Sequence, residues 1–482
     1  MSIPAEQADA AALLRRLTGG EAPVETHISA LFLGPDRVLK LKKAVDLGFL
    51  DFTSLAARAR FIQREMALNA PHAPGLYRAV QPLTRGPDGA LRLGGEGPAV
   101  EWALEMARVP AGDFLDAVAR RGALDAALQD ALGDAVAALH DKLPPVEGWD
   151  APAALARVIA GNRAAGLAAG LPGPRIIAWA EAATAALARL SPWLARRGTE
   201  GRIRRCHGDL HLGNLLLWQG RPVPFDALEF DEALATIDTG YDLAFLLADL
   251  DRQVGRAAAN RVLNRYVGRS GDAALVAGLP LWLSLRALIR AHCLARTGED
   301  GLPCLAQAEA ALRPVPPRLL AVGGLPGSGK SFWSRRWAPA IGAAPGALIL
   351  RSDEIRKRRH GLAPEQRLPP EAYAPAVSAA VHDELFEATR AALAAGHSVI
   401  ADAAFLDPAM RQGLEQLGRA AGIPLQGLWL EAPLAVLRSR VAARRGDASD
   451  AGLAVLEAAA ARDPGPIAWQ RLDTAGPMPT SI

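Results

Sequence analysis

Eight residues constrain this chain more than any others. Gly324-Leu-Pro-Gly-Ser-Gly329-Lys330-Ser331 satisfies G-x-x-x-x-G-K-[ST] and lies between an apolar run, LLAVG, and a segment with helical spacing. Strand, glycine loop, helix is the context this motif requires, so it fixes a local architecture as well as a chemistry. The glycines let the backbone wrap tightly around phosphate oxygens. A helix starting at Lys330 points its N–H groups and positive dipole end at the same oxygens. Gly324, Gly327, Ser328 and Gly329 are therefore the expected loop contacts. Lys330 can reach terminal phosphates, and the Ser331 hydroxyl can hold Mg²⁺.

The surrounding pattern agrees. After RPVPPR (313–318), where three prolines in six positions suggest a linker, strands are expected at 318–323, 347–351, 398–402 and 425–430. Helices are expected from 330, at 374–395 and at 407–421. Strands alternating with helices imply a parallel, doubly wound α/β sheet over 319–482. The remainder reads differently. Residues 1–24 form a helical extension. Short alternating runs such as ALFLGPDRVLKLKK and VEWALEM place strands within 25–107, with a helix over 54–69 between them. Residues 108–312 are mostly helical, with a strand-and-loop insertion near 203–230. A chain of 482 residues has room for two to four such domains, and 50% hydrophobic with 22% charged residues excludes a mainly disordered one.

Charge and cysteine usage narrow the partners. A formal charge of +3 on this length gives no support for a nucleic-acid partner or a membrane anchor. Cys206, Cys293 and Cys304 are odd in number and none form CxxC, which fits a reducing, cytoplasmic setting rather than a disulfide framework. The opening MSIPAEQADAAALLRRL lacks the basic-then-apolar plan of a secretory signal. The most apolar stretch, 273–288, is interrupted by Pro280 and Arg286 and reads as a buried helix, not a membrane span.

Near the glycine loop, Asp353 (in ILRSDEIRK) is expected to end the second strand, where a carboxylate can act on an acceptor hydroxyl. Asp402 (in SVIADAAF) is expected to end the third, where it can orient Mg²⁺ or water. Arg438, Arg440, Arg444 and Arg445 cluster in LRSRVAARRGDASDA, a plausible charge-neutralising lid. This module resembles the gluconate-kinase-like and zeta-toxin-like branch of the P-loop kinases. The resemblance implies an adenylate-kinase-like fold, ATP as phosphate donor, Lys330 and Asp353 as catalytic residues, and Arg440 and Arg444 as contacts to the nucleotide.

A second constellation lies at CHGDLHLGNLLLWQGRPVPFDALEF. His207-Gly208-Asp209 is followed by Asn214, two apolar runs joined at Gln219-Gly220, and Asp226. Phosphoryl transfer needs one carboxylate near the acceptor hydroxyl and an amide plus a second carboxylate at the metal. Asp209, Asn214 and Asp226 supply these in order, and a hairpin turned at Gln219-Gly220 brings Asn214 and Asp226 to one place. This stretch resembles the aminoglycoside phosphotransferase family, relatives of the protein kinases. The resemblance implies a two-lobed fold with Asp209 catalytic and Asn214 and Asp226 metal-binding. It also implies an ATP lysine, Lys40, with Lys42 on the same strand face as runner-up. Glu65 is its expected partner, LEMARVP (104–110) the hinge at the adenine, and Asp238 and Asp242 structural aspartates. Two features depart from the family. HISALFLGPDRV holds a single glycine where a glycine-rich loop is usual, and the metal segment reads FDALEFD, with Glu229 and Asp231 adding charge.

Both halves together resemble a bacterial fusion of a phosphotransferase-like and a P-loop kinase-like domain. The expectation is a bifunctional Mg·ATP-dependent kinase acting on small-molecule hydroxyls. The alternatives are a regulatory ATP-binding protein, whose N-terminal module senses a ligand, and a toxin-like or nucleic-acid-end kinase working through the P-loop module.

Overall fold

The computed structural model describes residues 2–48, 50–479 and 482. Contacts divide the chain into two compact units. One comprises Met1–Leu124, Lys142–Glu147 and Gly201–Asp242, the other Asp125–Asp141, Gly148–Glu200 and Leu243–Ile482.

The first unit is built on an antiparallel sheet of β1 (Val24–Glu25), β2 (Ser29–Leu33), β3 (Arg37–Lys42), β4 (Tyr77–Arg85), β5 (Leu91–Leu93) and β6 (Ala99–Ala107), in the order β1-β2-β3-β6-β4-β5. Helix α1 (Ala8–Leu17) places Leu13 and Leu14 in a core with Phe32, Leu39, Leu41 and Leu83. Helix α2 (Leu55–Asn69) begins where the Ser54 hydroxyl accepts a hydrogen bond from the Ala57 N–H at 3.2 Å, a side-chain N-cap. Its buried positions are Arg58, Ile62, Glu65 and Asn69, spaced four, three and four apart along one face. Three of these four are polar. A face of that kind docks only where partners wait for it, and each has one. Arg58 pairs with Glu101 at 2.8 Å, Asn69 accepts from the Ala227 N–H at 3.0 Å, and Glu65 meets two lysines.

The loop that follows β7 (Ile203–Arg205) leads through a 3₁₀ turn (Leu212–Asn214) into the hairpin of β8 (Leu215–Trp218) and β9 (Arg221–Pro224). Gln219 and Gly220 turn that hairpin at φ 52° and 75°, both left-handed, as the two-residue turn expected from sequence demands. Strand β10 (Thr236–Asp238) then pairs antiparallel with β7.

The second unit contains helices α3 (Ala126–Lys142, its last residue lying in the first unit), α4 (Arg256–Ser270) and α5 (Leu279–Arg296). Helix α5 carries most of the apolar stretch noted in the sequence. Leu279, Leu281, Trp282, Leu285 and Leu288 are all fully buried in it, and among the described residues no helix is long and apolar enough to cross a membrane. The same unit holds a sheet of β11 (Leu319–Gly323), β12 (Leu348–Arg351), β13 (Val399–Asp402), β14 (Leu425–Glu431) and β15 (Gln470–Asp473). Every pair is parallel and the order is β12-β13-β11-β14-β15, which makes β12 and β15 the edges. Its helices include α6 (Lys330–Trp337), α7 (Ser352–Arg359), α8 (Pro375–Ala394), α9 (Pro408–Ala420) and α10 (Leu434–Ala443). Leu320, Val322, Ile349, Ile400, Leu428 and Trp337 form a core around the central strands.

The alternation expected from sequence is present, with two corrections. Strand β12 ends at Arg351, so Asp353 sits in the first turn of α7 and not at a strand end. Asp353 and Glu354 favour a helix start there by facing the positive dipole end. The sheet also has a fifth strand, β15, which is mostly exposed and reads Gln-Arg-Leu-Asp, so no apolar alternation announced it.

Candidate functional site

Two sites emerge, one in each unit. In the first, β3 carries Lys40 and Lys42 on one face, and α2 lays Glu65 across both. Lys40 Nζ meets Glu65 Oε1 at 2.7 Å, and Lys42 Nζ meets Glu65 Oε2 at 2.8 Å. Each lysine also holds a second carboxylate: Asp226 at 2.7 Å from Lys40, and Glu229 at 2.6 Å from Lys42. Burial disfavours the Lys40 cation, yet Asp226, Glu65 and Glu229 outweigh it and raise its pKa well above that of an ordinary lysine. Burial opposes the Glu65 charge, and the two lysines overcome it and bring its carboxyl down to about 2. For Glu229 burial wins against the pull of Lys42, and its pKa lies above the usual carboxylate range. The sequence pattern pointed to Lys40 and Glu65. It did not point to the Lys42–Glu229 pair, whose partners are 187 residues apart.

Asp226 has a left-handed backbone, φ 58°, held by its N–H donating to Tyr77 Oη at 3.0 Å. A non-glycine residue in that conformation is strained, and such strain collects at functional sites. Asn214 donates its amide N–H groups to Asp209 Oδ2 and to the Asp209 carbonyl, each at 2.9 Å. His211 caps the 3₁₀ turn by accepting from the Gly213 N–H at 3.0 Å, and its Nε2 lies 3.5 Å from Asp209 Oδ2. The loop itself is fixed from below. Asp242 accepts from the His207 and Gly208 N–H groups at 3.1 and 2.9 Å, and Asp238 accepts from the Gly240 N–H at 2.8 Å. Both aspartates brace backbone.

Lys40, Asp209 and Asp226 line a cavity of about 450 Å³. Its walls are otherwise largely apolar, with Met106 and Val109 of the 104–110 segment, Leu216 and Phe225 among them. Val24, Ile28, Leu31 and Leu33 line it from the β1–β2 region, where the turn is Thr26-His27-Ile28. That turn is closed by Thr26 Oγ1 accepting from the Ser29 N–H at 3.0 Å. No glycine lies in it, so every residue of the turn carries a side chain.

The second site surrounds the loop between β11 and α6. Gly324 and Gly327 adopt φ 131° and 84°, and a Cβ added to either would fall 2.2 Å from the Leu430 carbonyl oxygen or 2.8 Å from that of Leu437. Only glycine fits. Lys330 Nζ donates to the carbonyls of Gly324 and Leu325 at 2.8 and 3.0 Å. Burial lowers its pKa, against the pull of Asp402 and Asp353, and nearby Arg444 lowers it further. Asp402 ends β13 as expected. Burial raises its pKa against Arg351, Lys330 and Ser331, and its Oδ2 is buried without a hydrogen-bond partner. Ser328 Oγ and Arg444 Nη1 are likewise buried and unpartnered. Such orphans are costly unless a ligand completes them. A carboxylate oxygen without a hydrogen bond, its nearest cation Arg351 at 3.6 Å, suits a divalent cation, and an unpaired guanidinium beside a lysine suits a phosphate.

The arginine cluster therefore divides. Arg444 faces the loop. Arg440 is occupied, donating to the Gly327 carbonyl at 3.4 Å and to the Thr474 hydroxyl and carbonyl at 2.8 Å each. Arg438 turns outward to Glu457, and Arg445 bonds to its own loop carbonyls.

Residues 36–279 match the model described as the phosphotransferase enzyme family, about half of the chain. The chain belongs to that family. Within it, the Lys40–Glu65 pair and the Asp209–Asn214–Asp226 set occupy the matched segment. Residues 319–464 match an AAA domain, which contains the P-loop. A Mycobacterium tuberculosis protein described as uncharacterised is 29% identical over 95% of this chain and 93% of its own. Among solved structures, an aminoglycoside phosphotransferase from Streptomyces rimosus covers 57% of this chain and 96% of its own, at 25% identity and a TM-score of 0.35. A gluconokinase from Sinorhizobium meliloti covers 33% of this chain and 85% of its own, at 22% identity and a TM-score of 0.24.

Proposed function

We propose that this phosphotransferase is an ATP-dependent kinase with two centres, each transferring the γ-phosphate to a hydroxyl of a small molecule. The observation that carries this reading is the set of orphaned polar atoms at the P-loop. Asp402 Oδ2, Ser328 Oγ and Arg444 Nη1 are buried without hydrogen-bond partners around Lys330, with Arg351 at 3.6 Å from Asp402 Oδ2. A triphosphate with a divalent ion supplies what all three lack.

In the first centre, Asp209 accepts the proton of the acceptor hydroxyl as its oxygen bonds to the γ-phosphorus and the bond to the β–γ bridging oxygen breaks. Asn214 and Asp226 would hold Mg²⁺, which neutralises charge on the phosphates. Lys40 then exchanges Asp226 for phosphate while Glu65 keeps it oriented. In the second, Ser331 and Asp402 would hold the ion, Lys330 and Arg444 the phosphates, and Asp353 the acceptor hydroxyl. The near-neutral charge supports a small-molecule acceptor over a nucleic acid.

Radiolabelled γ-phosphate transfer from ATP into a metabolite pool tests this, with wild type, Asp209→Ala and Lys330→Ala side by side. Two labelled products, each lost in one variant, are expected. Retention of both products in both variants would sink the proposal. A second reading gives the N-terminal centre a sensing role, supported by the glycine-free turn over its cavity. Nucleotide binding there by calorimetry, with no Asp209-dependent turnover, would favour it.

A further inference from the structure

The edge strand β12 is not left open. Its Ile349 N–H donates to Asn264 Oδ1 at 2.6 Å, and its preceding Ala347 carbonyl accepts from Asn260 Nδ2 at 3.0 Å and Asn264 Nδ2 at 3.3 Å. Both asparagines lie on α4, inside the segment matched to the phosphotransferase family, whereas β12 lies inside the AAA match. Residues i and i+4 of a helix are about 6 Å apart along its axis. Alternate residues of a strand are about 6.6 Å apart and point their backbone groups to the same side. Two side-chain amides on successive helical turns thus replace the neighbouring strand that β12 lacks.

The amides are themselves fixed. Asn264 Nδ2 also donates to the Asn260 carbonyl at 2.9 Å and to its Oδ1 at 3.0 Å. The residue after each asparagine is an arginine, giving Asn-Arg-x-x-Asn-Arg over 260–265. Arg261 grips Asp130 at 2.7 and 2.5 Å, and Arg265 grips Asp134 at 2.7 and 2.6 Å, both on α3 and again four residues apart. Two-pronged pairs of this kind fix orientation as well as distance. One α4 stripe therefore faces β12 while its neighbour is bolted to α3.

Strand β12 runs directly into the P-loop centre. Arg351, its last residue, is buried and pairs with Glu354 at 2.8 Å and Asp447 at 2.9 Å, with Asp402 at 3.6 Å, and Asp353 follows two positions on. We infer that Asn260 and Asn264 are positioning residues of the P-loop centre, so that its chemistry depends on a helix of the phosphotransferase half. This rests on the proposed P-loop phosphotransfer, and the test separates the two.

Hydrogen exchange by mass spectrometry on the full chain, for wild type, Asn264→Leu and Asn264→Asp, reads the clamp without any turnover. The leucine variant removes the acceptor of the Ile349 N–H. Exchange in 347–354 should rise about tenfold, the equivalent of one lost buried hydrogen bond, while 399–402 stays protected. The aspartate variant keeps an acceptor for the Ile349 N–H but sets its second oxygen against the Ala347 and Asn260 carbonyls, so its exchange should fall between wild type and the leucine variant. Lys330-dependent turnover in Asn264→Leu should lose kcat about tenfold with KM for ATP unchanged, because the loop at 324–331 is untouched. Unchanged exchange over 347–354 in the leucine variant overturns the inference, whatever the turnover. Absence of any Lys330-dependent turnover in wild type refutes the proposed chemistry alone, and the exchange arm still decides the clamp. Should Asn264→Leu fail to fold, Asn264→Ala, which removes the same acceptor without bulk, is read identically.

Discussion

The two candidate sites arrange their cations in opposite ways. In the first unit the cations are side chains and every one is already spoken for: Lys40 holds Glu65 and Asp226, and Lys42 holds Glu65 and Glu229. In the second the receptor is largely backbone. Lys330 touches only carbonyls, and Arg444 Nη1, Ser328 Oγ and Asp402 Oδ2 have no hydrogen-bond partner. A ligand entering the first centre must replace an ion pair. A ligand entering the second fills a deficit. Buried charges left unpaired are expensive, so the first arrangement favours order without ligand and the second favours affinity for one.

That contrast can be broken in several ways. The largest effect is expected from the reacting groups. Asp209→Ala should lower one activity by about 10³-fold, and Lys330→Ala the other by about 10²–10³-fold, with no crossover between products in steady-state assays. Glu65→Gln comes next. It takes from each of two buried lysines one of its two carboxylates, so unfolding in denaturant should show a loss of about 3 kcal/mol, whereas Asp402→Asn should stabilise or be neutral without ligand.

Acid should separate the two units as well. Burial holds the His397 imidazole, which bonds to the Gly346 carbonyl, down at about 4 instead of 6.5. The unfolded chain therefore takes up the proton first. The stability associated with His397 is complete above about pH 6.5 and is lost as pH falls toward 4, by up to about 3 kcal/mol. The Glu65 contribution, with its carboxyl at about 2 instead of 4.5, stays intact until pH falls below about 4.5. Thermal unfolding of His397→Asn should depend less on pH between 6.5 and 4 than that of wild type, the remainder coming from other buried histidines such as His292, held by burial at about 4, and should keep its dependence below 4. Metal removal is a finer probe. With EDTA present, pyrophosphate should still bind in a Lys330-dependent manner, weakened about tenfold, while Asp226-dependent binding disappears; calorimetry on Lys330→Ala and Asp226→Ala reads each. The smallest effect belongs to Arg438→Ala. Its pair with Glu457 is solvent-exposed, so Tm and both activities should be unchanged within error.

Much of this was legible in the sequence. The glycine loop, its flanking strand and helix, and the order Asp209, Asn214, Asp226 are short-range patterns, and short-range patterns survive in one dimension. Lys40 and Lys42 share a strand face because side chains alternate, and both do reach Glu65. What escaped was long-range or weakly patterned. Nothing near Glu229 announces Lys42. Strand β15 is exposed and polar, so it carries no apolar signal. Arg440 looked like its neighbours in the arginine-rich run, and only Thr474, 34 residues on, separates it from them. The Asn-Arg-x-x-Asn-Arg repeat was visible, but its meaning lay in β12, 83 residues away.

The proline-rich stretch at 313–318 is the obvious place to cut, and the edge of β12 shows why a cut there does not yield a tidy fragment. Freed of α4, the P-loop sheet presents the bare backbone of Ala347 and Ile349, a template on which another chain can add a strand. The fragment's hazard is therefore self-association, and the same two asparagines that orient a catalytic strand also serve as its guard against aggregation. In evolutionary terms the fusion works as a ratchet: once a sheet relies on a neighbour's helix to cover its edge, separating the two genes requires inventing a new cover first.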